Sequence, residues 1–295
     1  MNTIPAMTNA DNTPGFPGVS FGRSIEGFPV ARVGDNAFAM MPGRSERQYL
    51  ATGWKIARPL AEWRRQDFYG HCGELADEAA FRAYVLENAE HQREMQALGR
   101  YDISAGTHTP WGVSQRMTVY ADGVECHSTS SHGGFKLSVS RNCKVHPSLR
   151  LEGGFYEEDC AWAAVAITFP DLFTGFERLC AEATIRDWQP AAWEAIFGRV
   201  LAPRQSHAKD RLAFETQHAN DWIVISALRS DHHTGMTEVI ATRGGKRDPR
   251  LEERRFLVPA AEYEVGRFGF VIDETQHATY DGPSTFLTSS GRGTT

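Results

Sequence analysis

Met117-Thr118-Val119-Tyr120-Ala121-Asp122-Gly123-Val124-Glu125-Cys126-His127-Ser128-Thr129 decides the fold. Two runs suited to a pleated, half-buried surface, Thr118-Val119-Tyr120 and Val124-Glu125-Cys126, flank Asp122-Gly123. An Asp-Gly pair between such runs suits a tight primed turn, because glycine tolerates the positive φ that the turn requires. The stretch therefore predicts a hairpin, and with it an antiparallel sheet. Phe135 to Val139 adds a third short strand, Ser140 to Arg150 a short helix or turn limited by Pro147, and Gly153-Gly154 a break.

Beyond that break the apolar spacing changes to a helical period. Trp162, Val165, Ala166 and Phe169 form one stripe, ended by Pro170. Phe176, Leu179, Cys180 and Ala183 form the next; Trp193, Ile196, Phe197 and Val200 form a third, opened by Pro190. Ser206 to Ala219 carries a thinner stripe, and the Val, Ile and Thr of 163–169 also suit a buried strand. Strands return at Trp222 to Leu228, apolar on both faces as a central strand would be, then at Met236 to Thr242, Phe256 to Val258 and Phe268 to Ile272.

Before the hairpin, Phe81, Tyr84, Val85 and Asn88 mark a helix from Asp77 to Leu98, with Glu78 in its first turn and Gly99 as its stop. Phe28 to Ala39 holds a short strand or two, and Trp54 to Phe68 reads as a partly buried connector. These elements make an α+β protein, a mixed or antiparallel sheet packed against a helical block. The expected organisation is a disordered tail over 1–23, an N-terminal helical segment over 24–105, a main α+β domain over 106–282 and a frayed tail over 283–295.

Among 295 residues, 41% are hydrophobic and 23% charged, which is enough to bury a core without staples. A net charge of −6 argues against a strongly basic nucleic-acid binder. Five cysteines without a close pair argue against a disulfide framework and fit a reducing compartment, so a cytoplasmic protein outside the membrane is expected.

The reactive side chains concentrate between Trp111 and Trp162. His132 precedes Gly133-Gly134, where the backbone can approach a ligand closely, and His127 lies five residues earlier. Glu157, Glu158 and Asp159 are expected to open a helix, which would put Glu158 on the stripe of Trp162 and raise its pKa toward acid–base work. His132, Glu158 and Asp159 are therefore the catalytic candidates. Trp111, Ser114, Gln115, His127, Gly133, Gly134 and Tyr156 are the binding candidates.

His127, His132 and one of Glu158 or Asp159 could supply a two-histidine, one-carboxylate set, but the spacing lacks the tight pairs of zinc sites. No metal is assigned and no cofactor is indicated. Cys160 reads as inert, and His232-His233 as a surface pair. The basic excess of Arg243 to Arg255 reads as a solvated loop, with phosphate contact as the rival.

Tyr120-Ala121-Asp122-Gly123-Val124, Ser131-His132-Gly133-Gly134-Phe135-Lys136-Leu137-Ser138 and Gly154-Phe155-Tyr156-Glu157-Glu158-Asp159 together resemble a bacterial domain-of-unknown-function family, number seven-thousand-and-seven. The resemblance extends through Phe169-Pro170, Trp193-Glu194, Asp221-Trp222-Ile223-Val224 and Phe268-Gly269-Phe270; Phe155 stands where the family pattern has tryptophan. It implies an accessory protein of plasmids, phages and other mobile elements, and no mechanism. The leading expectation is thus a protein that binds a protein or nucleic-acid partner, modulating host defence or plasmid maintenance. The alternative is a hydrolase or transferase using a His/Glu acid–base pair.

Overall fold

The computed structural model describes residues 12–13, 16–43 and 47–286. The chain divides into two compact units, 1–184 and 185–295. This division differs from the expected boundaries near 105 and 282.

The first unit opens with five antiparallel strands paired in sequence order: β1 (Val19–Arg23), β2 (Pro29–Val33), β3 (Asn36–Pro42), β4 (Gln48–Trp54) and β5 (Gly70–Leu75). The segment expected to be helical over 24–105 is therefore mostly sheet, followed by a single helix, α1 (Glu78–Ala97). Both faces of this sheet are covered, so its strands lack the apolar–polar alternation by which a half-exposed strand is read. Ala31, Val33, Phe38, Met40 and Leu50 pack under Phe81, Val85 and Ala89 of α1. Val30, Ala37, Ala39, Met41 and Ala51 pack against Trp63 on the other face. The connector of Trp54 to Phe68 is thus the second lid of the sheet. Part of the expected tail, Val19 to Arg23, is an edge strand; residues 1–11 and 14–15 lie outside the described residues.

Helix α1 forms where its stripe predicts. The Asp77 side chain accepts from Ala80 N at 2.7 Å, satisfying one of the unpaired amides of the first turn, and Gly99 takes φ +63 beyond the last turn.

A second five-stranded antiparallel sheet follows: β6 (Tyr101–Ser104), β7 (Arg116–Ala121), β8 (Val124–Ser128), β9 (Gly133–Leu137) and β10 (Phe155–Glu157), again paired in sequence order. The Asp122-Gly123 hairpin is β7–β8, with Gly123 at φ +71. Phe135 and Tyr156 face one another across β9–β10 and are buried. Tyr120, Phe135 and Phe173 form an aromatic cluster on that face. Short helix α2 (Val139–Asn142) follows β9, and α3 (Trp162–Thr168) follows β10. Next comes α4 (Gly175–Trp188).

The Arg100 guanidinium ties these elements together. It bonds both carboxylate oxygens of Glu177 at 2.8 and 2.6 Å, donates to Leu172 O at 2.6 Å, and lies 4.0 Å from the Tyr120 ring centroid.

In the second unit, α5 (Pro190–Phe197) and α6 (His207–Gln217) start at a first-turn proline and at an N-capping Ser206 respectively. Three antiparallel strands follow, β11 (Trp222–Arg229), β12 (Met236–Arg243) and β13 (Glu253–Pro259). The central strand is β12 and not, as expected, Trp222 to Leu228. The strand expected over Phe268 to Ile272 reduces to isolated bridges, Ile223 to Val271 beside β11 and Gly266 to Gly269. The fully buried Glu238 accepts from Arg255, Ser284 Oγ and Thr285 N, which docks the start of the expected frayed tail; residues 287–295 lie outside the described residues. Among the described residues no helix is long and apolar enough to cross a membrane.

Candidate functional site

Gly133 and Gly134 open β9 between two strands, and both positions exclude a side chain. A Cβ on Gly133 would stand 2.7 Å from His127 O and 2.8 Å from Glu158 Oε2. A Cβ on Gly134 would stand 2.6 Å from Trp111 Cη2 and 2.9 Å from Glu157 Cα. The glycine pair therefore seats a carboxylate over one residue and an indole over the next. Trp111 belongs to a small hairpin, His108–Thr109 with Gly112–Val113, and meets Phe155 edge-on at 5.9 Å between centroids.

Cross-strand register sets which side chains share this face. His127, Gly134 and Glu157 lie in one row across β8, β9 and β10. Side chains opposite one another in an antiparallel pair project to the same side, and their sequence neighbours to the other. Glu157 thus shares the Trp111 face, whereas Tyr156 points into the core. Tyr156 is fully buried; its hydroxyl donates to Asn142 Oδ1 at 2.6 Å and accepts from Leu151 N at 3.1 Å. This binding candidate is a structural tie.

His132 sits in the turn from β8 to β9. Thr129 N and Thr129 Oγ1 both donate to His132 O, at 2.9 and 2.7 Å, and Thr129 Oγ1 accepts from His132 N at 3.2 Å. Thr129 Oγ1 also reaches Trp111 O at 3.4 Å, so it joins the turn to the hairpin. The imidazole, 57% exposed, holds Nδ1 at 3.4 Å from Glu157 Oε1. One ligand atom each from His132, Glu157 and Glu158 lie within 4.8 Å of one another. Among the described residues no lysine or arginine pairs with Glu157, Glu158 or Asp159.

The acids do not open a helix as expected. Glu157 ends β10, Glu158 N donates to Gly133 O, and α3 begins only at Trp162. Strand pairing with the glycines takes precedence over the helix-start preference of the acids. Glu158 is consequently exposed and off any apolar stripe, and Asp159 is exposed beside it, outside the cluster of three.

His127 and Ser114 are both 1% exposed. Ser114 Oγ donates to Arg116 O at 3.0 Å, so it accepts from His127 Nδ1–H at 3.1 Å. His127 Nε2, buried and without a hydrogen bond, lies 3.7 Å from Glu125 Oε2. Burial lowers the imidazole pKa, partly opposed by Glu125. A serine, a histidine and a glutamate in line resemble a catalytic triad by type. Here the serine is closed to substrate and its proton is committed to a carbonyl, so the line serves the fold. Gln115 pins β7 to β8 through its backbone N–H to Ser128 O, and its side chain is exposed.

The structure thus gathers Trp111, His132, Gly133, Gly134 and Glu158, and leaves His127, Ser114 and Tyr156 inside. The sequence reading missed Glu157 and Thr129. The signal for Glu157 was the alternation Phe155-Tyr156-Glu157 after a glycine pair that needs a partner strand.

In Arg243 to Arg255 the cations are largely committed. Arg243 lies 4.1 Å and Arg254 4.6 Å from the Trp222 ring centroid. Arg247 donates to Ile225 O, Arg250 pairs with Asp248, and Arg255 pairs with Glu238.

Residues 104–219 match the model of a family described as a domain of unknown function (DUF7007). The match includes every residue of the cluster, and it ends before Asp221 to Val224 and Phe268 to Phe270, to which the sequence resemblance extends. No curated protein and no solved structure matches the chain.

Proposed function

We propose that this protein is an accessory factor of mobile elements that binds a partner protein at the exposed edge formed by the Trp111 hairpin, the Thr129–His132 turn and Glu157 to Asp159. One observation carries the reading: three carboxylates that no lysine or arginine among the described residues neutralises, with His132 beside Glu157, stand near the Trp111 hairpin and its 51% exposed Val113. Docking surfaces combine such anchors with charge that steers the partner. The charge here favours a basic protein segment. Nucleic acid is disfavoured, because the cations of Arg243 to Arg255 are largely spent on neighbours.

The test is affinity capture by the full chain, in chelator and after nuclease treatment. The reading expects one protein retained by wild type and by Arg243→Gln, and lost from Val113→Asp and from Glu157→Lys. Equal capture by all variants would end it.

The acid–base alternative has its own observation, the 3.4 Å approach of His132 to Glu157. A general acid or base must reach its substrate proton at hydrogen-bond distance, and an exposed imidazole is open to such an approach. It predicts turnover of a substrate that is lost in both His132→Ala and Glu157→Gln.

A further inference from the structure

We propose that His132, Glu157 and Glu158 form a binding site for one divalent first-row transition ion. The inference goes beyond the docking reading: it assigns the same carboxylates to an ion, which would compete with a basic segment for them.

The donor set is chemically apt. An imidazole with two carboxylates suits Mn²⁺, Co²⁺ or Zn²⁺, whereas Mg²⁺ and Ca²⁺ take oxygen ligands. Distances agree. Bonds of about 2.0–2.2 Å place neighbouring ligands about 3.0–3.5 Å apart around such an ion, and His132 Nδ1 already lies 3.4 Å from Glu157 Oε1. The remaining donors are within 4.8 Å of one another, a gap that a small rotation of the exposed Glu158 side chain closes.

The backbone holds these donors from two sides. The turn closed by Thr129 fixes His132, and the pairing of Gly134 with Glu157 fixes β10. Glu158 Oε2 lies 2.8 Å from where a Gly133 Cβ would stand, too close for a side chain there, so the glycine leaves room for the carboxylate. No lysine or arginine among the described residues neutralises the two acids. A cation is taken up by deprotonated ligands, so binding here would release any proton that the ring or the carboxylates carry.

Three protein ligands on an exposed edge leave coordination positions open to solvent. That is the arrangement of a catalytic or bridging ion, in contrast to the closed four-ligand shell of a structural one. The ion would present a Lewis acid to whatever docks beside Trp111.

The test uses the chelator-stripped full chain and Mn²⁺ alone, with the free ion followed by electron paramagnetic resonance. The expected result is one ion per chain, with affinity weakened at least about tenfold in His132→Ala and in Glu157→Gln and unchanged in His232→Ala. Zn²⁺ should displace Mn²⁺ and shift the His132 ring nitrogen resonances, a readout that does not depend on activity. Circular dichroism shows whether each variant is folded. Two outcomes overturn the proposal: no binding up to about 1 mM free ion, or equal affinity in wild type and both folded ligand variants. Because capture of the partner is measured in chelator, loss of the metal site with capture retained removes this proposal and leaves the docking reading standing.

Discussion

Trp111 Cη2 occupies the space that a side chain on Gly134 would need, 2.6 Å from where its Cβ would stand. Gly134→Ala must part β9 from β10 as well as push the indole away, since Tyr156 O is 2.3 Å and Glu157 Cα 2.9 Å from that point. Overpacking of this kind costs about 1–3 kcal/mol. We expect a lower urea midpoint and a red-shifted, more exposed Trp111 fluorescence. A lowered midpoint with unchanged Trp111 emission would show that the hairpin does not lie on β9.

Arg100 and Glu177 form a buried pair, 6% and 20% exposed. Burial pushes the Glu177 carboxyl up, but the hydrogen bond and charge of Arg100 with the Thr174 N–H outweigh it and hold the pKa below its usual value. Removing one partner of such a pair costs about 3–5 kcal/mol, which is the loss expected for Arg100→Ala in chemical denaturation. The sign of the pH dependence follows. A depressed folded pKa gives stability that is present above the unfolded value of about 4.3 and is lost as pH falls through the folded one. Glu177→Gln should therefore flatten the acid limb of stability below about pH 4.3.

His127 makes the opposite kind of contribution from a neutral group. Burial lowers its pKa in the folded state, so below about pH 6.5 the unfolded chain binds the proton more readily. Stability should fall as pH drops below that value, with the loss complete once the folded imidazole protonates. His127→Asn, which can still donate to Ser114, should remove that part of the slope between about pH 7 and 5. An identical slope in the variant would mean that the imidazole is open to solvent.

Cys126 reports the position of Glu158. Burial, followed by the Glu158 charge, pushes its thiol up to about 11. The exposed Cys72 and Cys143 should react with a disulfide reagent at neutral pH well before Cys126. Glu158→Gln should speed Cys126 relative to wild type while leaving Cys72 unchanged. If Cys126 reacts as fast as Cys72, β8 is not covered as described.

Legibility in the sequence followed burial. The β7–β8 hairpin was readable because Asp122-Gly123 is local turn chemistry, and α1 because Phe81 and Val85 mark its one buried side. The five strands before α1 were hidden because α1 and Trp63 cover both faces, which removes the period-two pattern. Within the site, His132 and the glycine pair stood out as residue types on turn-prone backbone. Glu157 did not, because its role depends on a cross-strand register with Gly134 that no local spacing encodes. Tyr156 looks like a binding residue from its place beside the acids, but parity along β10 turns its side chain into the core.

The central claim is that the edge around Trp111, His132 and Glu157 meets a partner protein. Its most direct test places a photo-crosslinking amino acid at Val113, on the Trp111 hairpin, and as a control at the 85% exposed Val200. Both are illuminated in cells that naturally carry the chain. The account predicts a protein adduct of one defined mass from position 113, lost when Glu157→Lys is added, and none of that mass from position 200. Equal adducts from both positions, or an adduct at 113 that survives Glu157→Lys, would contradict it.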